Sequence, residues 1–118
     1  MADAYHHAVS TAKKFGGDPH DYIHVHYWFD ETKAHFPDPR HRALRHHAEG
    51  IAWAIKTLGF TVHNSASKEI PIRLIAEQHI VEDCGWIPTI KDWLIHMNFE
   101  AWMDKPMKNL DTTTDKGA

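Results

Sequence analysis

The feature that most restricts how this chain can fold is its punctuation. Gly16-Gly17, Asp18-Pro19, Phe36-Pro37, Asp38-Pro39, Gly59 and Gly85 cut it into short segments. Glycine takes the left-handed conformation that closes a helix. Asp-Pro supplies a capping carboxylate followed by a residue whose missing N–H costs nothing at the first helical position. Between these marks the apolar residues recur at intervals of three and four. The pattern predicts a mainly α, compact domain of four to five helices. They are expected at 2–15, 19–34, 39–58 as the longest element, 72–84 stopped by Gly85, and a fifth capped by Thr89 and running to His96 or Met97, with one more turn at 99–103. The character changes at 60–72. There Phe60-Thr61-Val62-His63 and Glu69-Ile70-Pro71-Ile72 flank the polar Asn64-Ser65-Ala66-Ser67, which predicts a small β-hairpin with Pro71 confined to an edge.

With 118 residues, 42% of them hydrophobic, the chain can bury one core. A single helical domain is expected over 1–104, followed by a polar tail at 105–118 that has too few apolar residues to order itself. No apolar run is long enough to span a membrane, and the first residues lack the basic-then-apolar pattern of a signal peptide, so a cytoplasmic protein is expected. The one cysteine, Cys84, has no internal disulfide partner and no CxxC neighbour. A net charge of −3 argues against a broad phosphate-binding surface, and so against nucleic acid.

Twelve histidines are several times an ordinary share, and they are scattered from His6 to His96 with no run longer than two, which excludes an affinity tag. On the second segment Tyr22, His26, Phe29, Lys33 and Phe36 share a helical face with Asp30 at its edge. On the fourth, Ile72, Ile75, Ala76 and His79 share one, with Glu82 and Asp83 a turn beyond. Each segment therefore carries His-x-x-x-Asp, His26 with Asp30 and His79 with Asp83, the spacing at which two side chains of one helix can hold one ion. The third segment adds His41 and His47 beside a core stripe of Leu44, Ala48, Ile51, Ile55 and Leu58, and places Arg42, His46, Glu49 and Trp53 opposite.

Burying two aspartates costs several kcal/mol each unless a cation compensates. A divalent ion does so and accepts imidazole as well, with zinc, manganese or iron favoured over calcium by the nitrogen content. Lys33 and Arg42 are the alternative compensators. The candidate metal ligands are therefore His26, Asp30, His41, His46, His79 and Asp83. His6-His7 and His24-His26 could bind metal at the surface but read more readily as solvated side chains, and the five tryptophans as core or oligomer contacts that could also floor a pocket. There is no Gly-rich phosphate loop and no Gly-x-Ser-x-Gly, and Cys84 with His79 five residues earlier makes a poor nucleophilic pair.

Trp28-Phe29-Asp30-Glu31-Thr32-Lys33-Ala34-His35, Asp38-Pro39-Arg40-His41-Arg42-Ala43, His46, Asn64-Ser65, Ala76-Glu77-Gln78-His79 and Glu82-Asp83 together resemble a family of small bacterial and phage proteins of unknown function, over about residues 3 to 97. The resemblance implies a bacterial or phage context and no particular activity. In ligand chemistry alone the same residue types are similar to the all-helical HD-type metal-dependent phosphohydrolases, but no candidate histidine here is followed directly by aspartate.

Two functions fit. The first is a metal-dependent hydrolase, with Glu82 and Lys33 in catalytic roles and Arg40 and Arg42 binding an anionic phosphoester or nucleotide-like substrate. The second is a non-catalytic binding or assembly module, an inhibitor or phage accessory protein, whose histidines are structural and whose aromatics form an interface, homo-oligomeric or otherwise.

Overall fold

The computed structural model describes residues 3–106. The expected polar tail lies largely outside them. The element order is α1 (Ala4–Phe15), α2 (Ile23–Asp30), α3 (Ala48–Leu58), β1 (Thr61–His63), β2 (Glu69–Pro71), α4 (Ile72–Cys84) and α5 (Ile90–Leu94), joined in places by short 3-10 turns. The fold is the mainly helical one expected, with the two strands forming an antiparallel hairpin that pairs Val62 with Ile70.

The start and stop signals act as their chemistry requires. Asp3 caps α1 by accepting from the His6 amide at 3.0 Å. Thr89 and Asp92 cap each other's amides at the head of α5. Gly85 ends α4 at φ 83°, a value that strains residues with a Cβ. Apolar residues from every helix except α5 meet in the core, where Tyr22, Phe29, Ile72, Ile75 and Ile80 are fully buried. Each contributes roughly 1.5–3 kcal/mol by leaving water.

Two expected helices are broken. The second is an α-helix only over Ile23–Asp30, between 3-10 turns at Pro19–Asp21 and Glu31–Ala34. Asp21 folds back to accept from the Asp18 amide at 2.8 Å and also takes both Ser65 donors. The start of the helix is thus tied to the hairpin loop. The third is a 3-10 helix at Pro39–Leu44, then an irregular Arg45-His46-His47, then α3, so α4 with 13 residues is the longest helix among the described residues.

The break has a clear physical cause. His47 is extended (φ −162°, ψ 171°) and its ring accepts from the Gly50 amide at 2.9 Å, so an imidazole serves as the N-cap of α3. Three bonds pin the irregular stretch: the Arg45 guanidinium donates to the Trp28 carbonyl at 2.6 Å, the Trp93 indole N–H to the His46 carbonyl at 3.0 Å, and the Ala48 amide to the Pro88 carbonyl at 2.8 Å. The helical face expected for residues 41–58 does not survive the break. Leu44, expected in the core, is half exposed, while His41, His46 and His47 are all buried.

Candidate metal centre

The site lies where α1, the end of α2, the 45–47 break and the last turns of α4 meet. The α4 stripe that buries Ile72, Ile75 and Ala76 runs on to His79, and one turn later to Asp83. On α2 the stripe of Val25, His26 and Phe29 ends at Asp30. The break turns His46 inward between them.

Four donor atoms converge. His79 Nε2 stands 3.1 Å from His46 Nε2, 3.2 Å from Asp30 Oδ1 and 3.2 Å from Asp83 Oδ2. His46 Nε2 is 3.0 Å from Asp83 Oδ2 and 3.9 Å from Asp30 Oδ1. All four ligand atoms lie within 4.8 Å of one another. A tetrahedral ion with bonds of about 2.1 Å has ligand atoms about 3.4 Å apart, so the spacing matches the shell of a small divalent ion. His46 and His79 are fully buried, and little of either aspartate is exposed.

The surroundings are electrostatically demanding. Burial works to raise the pKa of Asp83, but its close contacts with His46, His7 and His79 overcome it and hold the carboxyl well below its usual range. Asp30 behaves alike: burial is outweighed by His79 and Lys33. Burial pushes His46 down to about 4, and burial beside His79 and His7 pushes His26 down to about 2. Burial also opposes charge on His7, yet Asp83 and Glu82 prevail and raise its pKa. His7 Nδ1 is 2.7 Å from Glu82 Oε1, and its Nε2 is 3.1 Å from Asp83 Oδ1 without the alignment of a hydrogen bond. The Asp30 Oδ2 atom is buried and unpartnered.

A family model described as "Domain of unknown function (DUF6915)" matches residues 2–103. The chain belongs to this family. No curated protein and no solved structure matches it. The family description names no activity.

Of the six candidate ligands, the structure brings together Asp30, His46, His79 and Asp83. His26 stands behind His79, with its ring nitrogens engaged by Thr11 at 2.7 Å and by His79 at 2.9 Å. His41 is buried beside His46, with Nδ1 2.7 Å from the Thr32 hydroxyl and Nε2 unpartnered. Glu82 has both oxygens occupied, by His7, Ser10 and the Gln78 amide. Lys33 borders a cleft of about 420 Å³ that reaches Asp30 between Tyr5 and Tyr27. Arg40 and Arg42 border another of about 420 Å³ that reaches Asp83 beside Trp86 and Trp93. Arg42 donates to the Asp83 carbonyl at 3.2 Å, while Arg40 is held outward by Asp38. Burial pushes the Cys84 thiol up, away from a reactive thiolate.

His7 corrects the sequence reading. Expected to be solvated, it is completely buried, whereas its neighbour His6 is exposed. The available signal was spacing: His7, Ala8 and Thr11 are buried, and Ala12 and Phe15 pack on the core, a helical stripe that places His7 and Thr11 on the inner face of α1. The chain's one adjacent His-Asp pair, His20-Asp21, takes no part. It sits on the turn before α2, where Asp21 is engaged by Asp18 and Ser65.

Proposed function

We propose that this protein binds one divalent transition ion through Asp30, His46, His79 and Asp83, and that it is a metal-dependent hydrolase of an anionic ester. The observation that carries the reading is the convergence of two imidazole nitrogens and two carboxylate oxygens from separate elements at the spacing of a coordination shell. Two buried carboxylates favour a compensating cation, of which Arg42, 3.6 Å from Asp83 Oδ1, supplies only part, and mixed nitrogen and oxygen donors favour zinc, manganese or iron. A bound ion of this kind acts as a Lewis acid and lowers the pKa of water in its shell.

The rest of the site supports hydrolysis. Asp83 forms part of the wall of a cleft whose other residues include Arg40, Arg42, Trp86 and Trp93, so a substrate entering there meets guanidinium groups suited to phosphate and aromatic faces suited to a planar group. Lys33 offers a cation on the Asp30 side. Glu82, engaged by three partners, serves in this reading to hold His7 and Gln78.

One observation favours a second reading. The imidazoles are fully buried, as in a structural ion site, and such a site would serve a non-catalytic module. Metal analysis of tag-free protein, followed by hydrolysis assays on a generic phosphodiester and on nucleotides with added zinc, manganese or iron, separates the two. About one ion per chain with chelator-sensitive turnover is expected. Stoichiometric metal without turnover selects the module, and protein that binds no ion overturns both metal readings.

A further inference from the structure

Behind the cluster runs an unbroken line of hydrogen bonds that starts from a carboxylate. Glu82 Oε2 accepts from the Gln78 side-chain amide at 2.9 Å. An ionised carboxylate has no proton to give, so the Gln78 nitrogen must face it and the Gln78 oxygen must face the other way. That oxygen accepts from the Thr11 hydroxyl at 2.8 Å. Thr11 also bonds the His7 carbonyl at 2.9 Å, the usual alternative for a helical threonine.

A hydroxyl has one proton. With it directed at Gln78, the Thr11 oxygen can only accept from His26 Nε2, which is 2.7 Å away. A neutral imidazole carries one N–H, so His26 Nδ1 is then bare. It lies 2.9 Å from His79 Nδ1, which must be the donor. In a neutral His79 ring Nε2 is left bare in turn, and it is this nitrogen that faces Asp30, His46 and Asp83. The opposite assignment would aim the Gln78 oxygen and the Thr11 oxygen at each other, lone pair to lone pair, at 2.8 Å.

We propose that Thr11 is a positioning residue of the metal centre: through His26 it fixes the tautomer of His79, so that the nitrogen presented to the ion is the unprotonated one. The inference rests on the metal reading for its purpose but not for its geometry. Ligating histidines commonly have their second nitrogen fixed by a carboxylate or carbonyl. Here the same task passes through a second imidazole, which explains why His26 and Thr11 are both wholly buried without lying in the donor set.

The direct test is nuclear magnetic resonance of ring-labelled histidine in the wild-type protein at alkaline pH, with and without zinc. The expected result is a proton on His79 Nδ1 and on His26 Nε2 in both samples, with His79 Nε2 bare once zinc is bound; a bare His79 Nδ1 in either sample overturns the proposal, whether or not zinc binds. The second test is calorimetric titration with zinc alone. Thr11→Val should weaken binding about 10- to 100-fold, and Thr11→Ser, which restores the hydroxyl, should bind as the wild type does. Equal affinity of Thr11→Val and wild type overturns the role of Thr11. Should Thr11→Val fail to fold, the wild-type tautomers decide alone. A wild type that binds no zinc refutes the metal centre, and the tautomers still report on the relay.

Discussion

Helices α2 and α4 carry the same His-x-x-x-Asp spacing, yet the two pairs are used differently. On α4 both His79 and Asp83 contribute donor atoms to the cluster; on α2 only Asp30 does, while His26 turns to Thr11 and supports His79 from behind. Spacing on one helix fixes which side chains share a face. It does not fix where along that face the partner elements arrive. His79 and Asp83 both meet the 45–47 break, which brings His46, whereas His26 meets α1 first.

The comparison breaks most decisively at the shared pair. His79→Ala should abolish stoichiometric metal and cost about 3–5 kcal/mol, because it opens a cavity and strands two carboxylates. In a melting experiment with EDTA the wild type should fall and the variant stay where it is, since the chelator removes only what the variant has already lost. Replacing His26 by alanine should be milder for the ion: near-stoichiometric binding survives at high metal concentration, with affinity reduced about 10- to 100-fold, as for other groups that orient a ligand.

Acid sharpens the same contrast. His26 at about 2 and His46 at about 4 lie below the ordinary histidine value of 6.5, so the unfolded chain binds more protons than the folded one between those values. Stability of chelator-treated protein should therefore drop as pH falls below about 6.5, by up to about 1.4 kcal/mol per unit for each histidine. His7, raised instead, opposes this only above 6.5. Urea titrations at a series of pH values measure the slope, and a flat profile would contradict the neutral, buried state of His26.

Smaller effects come from residues outside the donor set. His47→Ala removes the ring that caps α3 and should cost about 1 kcal/mol. His24→Ala, on the exposed face of α2 opposite Tyr22 and His26, should change stability by no more than about 0.5 kcal/mol and leave metal content alone.

Helix α4 was fully legible: its apolar period, its end at Gly85 and the inward His79 and Asp83 all follow from local sequence. So were the hairpin and the Thr89 cap, because each depends on residues within a few positions. The 39–58 segment misled because its departure from helix is imposed from outside, by Trp28, Pro88 and Trp93, none of them near in sequence. His7 was missed for a different reason. A helix that starts at Asp3 has its inner face set by what covers it, and α4 arrives seventy residues later to supply Glu82.

Gly50 lies buried in the first turn of α3. A Cβ there would stand 1.8 Å from the Arg45 carbonyl oxygen, with the Arg45 backbone closing around it. Any other residue would have to push back the peptide that leads into His46. A residue with no side chain thus guards the position of one that reaches the cluster. In a saturation library selected for metal retention, position 50 should tolerate fewer substitutions than any exposed position of α3, and its losses should be indistinguishable from damage to His46 itself.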